Sequence, residues 1–262
     1  MTTKAIVIAA GMGRRLRPFT DEMPKCLVPV GGKPILVRQL DAFRKAGVTD
    51  VVVIRGYKAD VLEARKAELG PGVRFVENRD FEHNNILESL SMASEHMEGP
   101  VYTTYADIVF APEVVSELRD TAGDIVLVVD QDFRDIYVGR DQHPLPEAEV
   151  ATLDESGAIA LVGKKACPPE AAFGEFIGLM RLSAAGAKLV RQVHRELADR
   201  YANRREESFQ RAATWRQAYL TDLLQYLIEA GVRMLPCTIH GRWREIDTTQ
   251  DLERAQAAPW LG

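Results

Sequence analysis

Between residues 4 and 129 the chain repeats one alternation: a short apolar run rich in Val and Ile, then an amphipathic stretch, then another run. Lys4 to Ala10, Asp50 to Ile54 (DVVVI), Val73 to Val76, Pro100 to Thr104 and 124–129 (DIVLVV) supply the runs. Runs this short and this continuously apolar suit strands buried on both faces. Helical spacing fills the gaps. Leu36, Leu40 and Phe43 recur within Ile35 to Ala46, and Gly47 stops that helix; Ala59 to Leu69, Ile86 to His96 and 112–119 follow. Repeated β–α units predict an α/β fold, with a mostly parallel sheet and helices on both faces.

The rhythm then breaks. Residues 130–148 are polar and loop-like, and Glu149 to Leu153 with Ala158 to Val162 reads as a β-hairpin around a DESG turn. Gly174 to Leu182 (GEFIGLMRL) reads as a further strand. Leu189, Val193, Leu197 and Tyr201 recur every four residues and predict a long helix from Ser183 to about Arg205. A second helix is expected from Trp215 to Ala230, a late strand from Val232 to Cys237, and a closing helix from Thr248 to Ala257 capped by Thr248 or Thr249. No repeat or linker divides the chain. One domain spanning 1–262 is expected, with an acceptor-binding portion at about 130–230.

Composition narrows the function classes. The 262 residues carry a net charge of -5, which argues against a general nucleic-acid binder. The stretch 188–216 is basic, but Glu196, Asp199, Glu206 and Glu207 interleave it, as on a solvated helix face. Cys26, Cys167 and Cys237 are few and scattered, so neither a disulfide framework nor a zinc site is suggested. The N-terminal apolar stretch, MTTKAIVIAAGMG, is too short to span a membrane and lacks the layout of a signal peptide. A cytoplasmic protein without membrane partners is expected, with a homodimer among the admissible assemblies.

The richest local signal follows the first strand: Ala9-Ala10-Gly11-Met12-Gly13-Arg14-Arg15-Leu16, then Pro24-Lys25-Cys26-Leu27. Open α/β sheets bind ligands at this carboxyl edge of their strands. Small residues at 9–13 let backbone N–H groups approach a phosphate chain closely. Arg14 and Lys25 bring positive charge, one as a forked donor and the other as a point contact. A P-loop is absent, because GxxxxGK[ST] is not found. A dinucleotide fingerprint fails too: Leu16 replaces its third glycine, Pro18 follows, and Ile54-Arg55 offers no acid for a ribose.

Taken whole, AAGMGRRLRPFTDEMPKCLVPVGGKPIL resembles the signature of the nucleotide-sugar pyrophosphorylase and cytidylyltransferase superfamily, usually AAGxGxRLxPLTxxxPKxLxPVxxKP. Phe19 stands where leucine is common. The resemblance implies a Rossmann-like nucleotidyltransferase fold with a small acceptor-binding insertion. It implies that Ala9, Ala10, Gly11 and Gly13 contact the nucleotide, with Arg14 and Lys25 on its phosphates. Asp107, in YTTYADIVF, follows the fourth strand, and Asp247 lies in EIDTTQD near the end of the chain. By themselves these read as a strand-end turn residue and a helix cap. Superfamily members carry aspartates at both places, so the resemblance implies that Asp107 and Asp247 are ligands of a catalytic Mg²⁺. Mg²⁺ takes few protein carboxylates and keeps phosphate oxygens and waters as its other ligands. Asp251 is expected to be a structural residue of the last helix.

Asn78, Asn84, Asn85 and Ser89 lie in ENRDFEHNNILESLSMA, a region this superfamily uses to read the base. They suit capping and turns as well. With Arg55-Gly56-Tyr57 the pattern is similar to cytidylyltransferases of the phosphocholine type, which implies CTP with Asn85 and Ser89 on the nucleotide. GEFIGLMRL, with YADI and the VVD at 128–130, resembles nucleotidyltransferase domains of phosphonate biosynthesis. Expected partners are therefore CTP and a small phosphonate, or a phosphomonoester such as phosphocholine. Glu175, Lys164 and Asp222 are the acceptor-binding candidates, and Lys165 could assist Lys164. A choline acceptor would want an aromatic cage, for which Tyr137, Phe173, Phe176, Tyr219 and Trp215 are available. The alternatives are a sugar-1-phosphate nucleotidyltransferase using UTP or dTTP, and a non-catalytic nucleotide-binding regulator, which would be expected to lose Lys25 or an aspartate.

Overall fold

The computed structural model describes residues 3–261. Met1, Thr2 and Gly262, and with them the tip of the N-terminal stretch and the ends of the expected 1–262 span, lie outside the described residues. The first part of the chain contributes β1 (Lys4–Ala9), β2 (Pro29–Val30), β3 (Lys33–Pro34), α1 (Ile35–Lys45), β4 (Asp50–Arg55), α2 (Ala59–Ala64) and β5 (Val73–Glu77). Next come α3 (Ile86–Ser91), β6 (Val101–Tyr105), β7 (Ile108–Phe110), α4 (Pro112–Asp120), β8 (Ile125–Asp130) and α5 (Phe133–Tyr137). The remainder is β9 (Glu149–Leu153), β10 (Ile159–Lys164), β11 (Gly174–Leu182), α6 (Ala184–Tyr201), α7 (Leu220–Glu229), β12 (Leu235–Ile239), β13 (Trp243–Glu245) and α8 (Thr249–Gln256).

Nine strands form one sheet, ordered β10-β9-β11-β6-β1-β4-β5, with β8 pairing β11 and β12 pairing β8. The β–α half is parallel: β1 runs parallel to β4 and β6, and β4 to β5. β11 is the hinge of the topology, antiparallel to β6, β8 and β9. The expected mixed, mostly parallel sheet with flanking helices is what forms.

The two faces of β1 explain why its whole run is apolar. Ala5, Val7 and Ala9 join a core with Leu36, Leu40 and Phe43 of α1 and Val114, Val115 and Leu118 of α4. Ile6 and Ile8 join a second core on the opposite face, with Leu87 and Leu90 of α3 and Val190 and Leu197 of α6. Burying each large side chain there stabilises the fold by roughly 1.5–3 kcal/mol.

Several boundaries differ from expectation for local reasons. The helix expected over 86–96 ends at Ser91, and a separate 3₁₀ turn covers Ser94–His96. The helix expected from Trp215 starts at Leu220 instead. Asp222 accepts hydrogen bonds from the backbone N–H of Tyr219 (2.8 Å) and Arg211 (3.1 Å), fixing the helix start there. The polar stretch 130–148 hides α5, and α6 stops at Tyr201. The late strand is shifted to Leu235–Ile239, where it runs parallel to β8. β7 and β13 are too short to show a period, yet they pair antiparallel, Glu245 opposite Ile108.

Candidate active site

The glycine loop leaves β1 at the carboxyl edge of the parallel strands. Gly13 sits at φ 60°, and a Cβ there would meet the Lys25 Cβ at 3.0 Å and Thr20 Cγ2 at 3.2 Å. Glycine is thus required twice, for the left-handed backbone and for the approach of Lys25. Thr20 Oγ1 donates to Gly13 O at 2.9 Å and closes the loop. The short turn Lys25–Leu27 then delivers Lys25 beneath the loop.

Asp107 and Asp247 stand 140 positions apart in sequence, and the β7–β13 ribbon brings them together. Just beyond the ribbon, Ile246 N–H donates to Asp107 O at 2.8 Å. On the other side, buried Gln39 of α1 donates through Nε2 to Tyr105 O and Ile108 O, both at 2.7 Å, and so clasps the turn that carries Asp107. Asp251 accepts from the backbone N–H of Asp247 (3.0 Å) and Thr248 (2.9 Å), while Thr248 caps α8. Asp251 is also ion-paired with buried Arg140 at 2.6 Å, so its expected structural role is the one it has.

Both aspartates converge on one ammonium. Lys25 Nζ lies 3.0 Å from Asp107 Oδ2 and also contacts Asp247 Oδ1. Arg15 reaches Asp247 from the exposed side, and His143 Nδ1 stands 2.8 Å from Asp247 Oδ2. Burial opposes the charge on Asp247, but Lys25, His143 and Arg15 outweigh it and hold the carboxyl well below the usual range. Burial likewise opposes the charge on Lys25, and Asp107 and Asp247 together reverse it, raising its pKa. Cys26, next along the chain, is buried and its thiol is pushed up to about 12, which leaves it inert.

The donor set fits a hard divalent cation. Asp107 and Asp247 each offer a carboxylate oxygen to Lys25 Nζ, where a cation could take the place of the ammonium, and Asp107 Oδ1 is buried without a hydrogen-bond partner. Ligand atoms of His143, Glu245 and Asp247 also lie within 4.8 Å of one another. His143 and Glu245 are not among the residues expected from the sequence. The signal for Glu245 was its place two residues before Asp247 in EID, whereas nothing local marks His143.

Two cavities meet at this cluster. The first, about 310 Å³, is walled by Ala9, Ala10, Gly11, Gly13, Arg14 and Lys25 on one side and by Asn84, Asn85 and Ser89 on the other. Arg14 is exposed at its rim. Asn85 lines it while capping α3: Oδ1 accepts from Ile86 N–H at 2.8 Å, and Nδ2 donates to Gln217 O at 2.9 Å. Ser89 Oγ accepts from Asn78 Nδ2 at 2.8 Å, and Asn78 itself is fully buried and lines neither cavity.

The second cavity, about 180 Å³, shares Arg15, Ile86, Tyr105, Asp107 and Asp247 with the first. Glu175, Lys164, Phe176 and Tyr219 from the sequence reading line it. Tyr105, Glu147, Glu149, Trp243 and Glu245 join them unforeseen. Gly178, at φ 82°, lets the Tyr105 ring lie over β11, where a Cβ would sit 2.3 Å from ring carbon Cδ2. Tyr105 OH then donates to Glu149 at 3.1 Å. Burial pushes the Glu149 carboxyl up to about 7, and burial with Glu245 nearby raises Glu175 well above the usual range.

Asp222 does not belong here. It lines neither cavity; as the third residue of α7 it accepts the backbone N–H of the N-cap residue Tyr219, a role open to any acid at that place in a first helical turn. Lys164 lines the cavity with its ammonium 3.2 Å from Glu147. Lys165 is exposed and lines neither cavity. Trp215 stacks on Tyr201 in the core, with ring centroids 5.0 Å apart, and Tyr137 is buried behind Glu175, so neither lines the cavity.

Comparison with known proteins identifies the family. The model of the MobA-like NTP transferase domain matches residues 5–237. The CTP:phosphoglutamine cytidylyltransferase of Campylobacter jejuni is 30% identical over 260 residues, covering 95% of this chain and 97% of that protein. The 2-aminoethylphosphonate cytidylyltransferase of Lancefieldella rimae is 32% identical over 197 residues, covering 73% and 72%. Among solved structures, the CTP:phosphocholine cytidylyltransferase of Streptococcus pneumoniae superposes with a TM-score of 0.73 at 20% identity, covering 98% of each chain. That likeness extends to the fold. Among the described residues no helix is long and apolar enough to cross a membrane.

Proposed function

Because this chain belongs to the family of MobA-like NTP transferase domains, we propose that it transfers CMP from CTP to a small phosphonate or phosphomonoester and releases pyrophosphate. One observation carries the reading: two cavities of different character share a wall at Asp107, Asp247 and Arg15. One cavity has the glycine loop and suits a nucleoside triphosphate. The other is small enough to hold an acceptor beside the α-phosphate. Relatives that act with CTP on small phosphorylated compounds support the choice of nucleotide and acceptor class. The acceptor portion at about 130–230 supplies β9, β10, β11 and Tyr219 to that second cavity.

The reaction needs no covalent intermediate on the protein. An oxygen of the acceptor attacks the α-phosphorus, a new P–O bond forms, and the bond from the α-phosphorus to the bridging oxygen breaks as pyrophosphate leaves. Positioning and charge stabilisation then account for the catalysis. Backbone N–H groups at Gly11 and Gly13 cradle the phosphates, and Arg14 closes on them from the rim. Lys25 follows the negative charge as it shifts to the leaving pyrophosphate. Asn85 and Ser89 form the base side of the cavity. Arg15, at the wall between the two cavities, meets the acceptor's phosphonate or phosphate. Glu175 and Lys164 line the remainder of the acceptor site. A Mg²⁺ held by Asp107 and Asp247 would neutralise charge at the α-phosphate and orient it for attack. The three free cysteines support a reducing, cytoplasmic setting.

The test is pyrophosphate release with CTP, UTP, dTTP, ATP or GTP against a panel of small phosphonates, phosphomonoesters and hexose-1-phosphates. CTP with a small acceptor should give the highest turnover, and excess EDTA should abolish it. Efficient use of UTP or dTTP with glucose-1-phosphate, and none of CTP, would replace this reading by a sugar-nucleotide one. Turnover that survives in EDTA would remove the metal from it.

A further inference from the structure

The acceptor cavity is unusually acidic for a site that receives an anion. Beyond the shared wall it presents Glu147, Glu149, Glu175 and Glu245. Two of these are already compensated: Glu147 pairs with Lys164 at 3.2 Å, and Glu245 with Arg140 at 2.8 Å. Glu149 and Glu175 have no ion-pair partner among the described residues. Their partners are hydroxyls: Tyr105 (3.1 Å) and Thr221 (3.3 Å) for Glu149, and Tyr137 (2.7 Å) for Glu175. Glu175 is 5% exposed, and its Oε2 is buried without any hydrogen-bond partner. A buried carboxylate oxygen left unmatched costs about 1–3 kcal/mol or more, so such sites persist where a ligand completes them. The surrounding walls are aromatic: Tyr105, Phe176, Tyr219 and Trp243. Aromatic faces with carboxylates are the surroundings in which a cationic nitrogen is stable.

Resting on the CMP-transfer reading above, we propose that the acceptor carries a protonated amine at the end remote from its phosphonate or phosphate, and that Glu175 and Glu149 seat it. The amine must keep at least one N–H. A quaternary ammonium satisfies the charge but donates no hydrogen bond, leaving Glu175 Oε2 as unmatched as before. A hydroxyl donates but carries no charge, so it gains a hydrogen bond and no ion pair from the two acids. Burial favours the protonated acids, and a cation beside them would draw both back to the ionised form.

The test compares matched acceptors by initial rates with CTP and Mg²⁺: 2-aminoethylphosphonate against 2-hydroxyethylphosphonate, and phosphoethanolamine against phosphocholine. The amine of each pair should win by at least about 10-fold in kcat/KM, the value of one hydrogen bond to a charged group. Glu175→Gln should raise the acceptor KM about 10-fold and narrow that preference, with Glu149→Gln as a second, independent variant. Equal or better use of the hydroxyl compound, or a preference for phosphocholine, would overturn the proposal while leaving CMP transfer intact. If no acceptor releases pyrophosphate from CTP, the transfer reading is what fails. Calorimetric binding of 2-aminoethylphosphonate and 2-hydroxyethylphosphonate to the wild type and Glu175→Gln then decides the amine: tighter amine binding lost in the variant supports it, and equal binding overturns it.

Discussion

Lys25 has two partners of opposite meaning. It neutralises Asp107 and Asp247, and in the proposed reaction it also faces the triphosphate. Removing it should therefore damage turnover more than folding. Lys25→Ala is expected to lower kcat by at least about 100-fold, since a charged donor aimed at developing charge is worth that much. Arg14→Ala should be severe as well. Asp107→Ala and Asp247→Ala should each abolish turnover while the near-ultraviolet circular dichroism stays native. A metal role makes a further demand on Lys25→Ala. With the ammonium gone, Asp107 and Asp247 lose the cation they share, so Mg²⁺ should raise the melting temperature of this variant more than that of the wild type. Wild-type initial rates in Lys25→Ala would refute the phosphate-loop model.

At the scale of elements, the short β7–β13 ribbon does what no single helix or strand could. It carries the turn holding Asp107 on one strand and leads directly into Asp247 on the other. Gln39 clasps that turn from α1 with two 2.7 Å hydrogen bonds. Gln39→Leu would leave two carbonyls without their donor, at a cost of about 1–3 kcal/mol each. A drop of at least roughly 4–8 °C in Tm is expected for this chain length, and kcat should fall with little change in KM for CTP. Leu118→Ala, in α4 and away from the turn, is the matched control. It should lose stability through a cavity and keep its kcat when assayed well below Tm. If the two variants lost kcat alike, Gln39 would be packing rather than positioning.

Over the whole molecule, burial of acids makes folding depend on pH. Glu149 has its carboxyl pushed up to about 7 in the fold, against an ordinary value of 4.5. A raised carboxyl binds its proton more tightly when folded, so its contribution is full below about pH 4.5 and is lost as pH rises through 7. Glu175, also raised by burial, acts in the same direction. Asp247 acts in the opposite direction and in another window: its contribution is present above its ordinary value and lost only in strong acid. Urea midpoints in EDTA should therefore fall between pH 5 and 8, with about 1–3 kcal/mol assignable to Glu149. Glu149→Gln should flatten that slope and be the more stable protein at pH 8. An unchanged slope in the variant would show that Glu149 titrates normally.

Local chemistry was enough to make much of this protein legible in its sequence. The β–α rhythm specified a parallel sheet because strands buried on both faces must be apolar throughout, and β1 packs two cores. The glycine loop announced itself because a left-handed Gly13 close to Lys25 tolerates no side chain. EIDTTQD marked Asp247 through a motif, and Thr248 through the capping it performs. Other features depended on who meets whom in space. Asp222 looked like an acceptor ligand because an acid in a first helical turn and an acid in a cavity are identical in sequence. Arg15 and Glu245 lay inside quoted motifs that say nothing of the wall they share, while His143 and Glu149 carried no signal that set them apart from other polar positions. Their roles arose when the fold brought Arg15, Glu149 and Glu245 to one cavity wall and set His143 against Asp247. The sequence by itself determined the sheet and the phosphate loop, since each rests on contacts between near neighbours. Only the tertiary structure decided that the second cavity is acidic, because that charge is gathered from strands far apart along the chain.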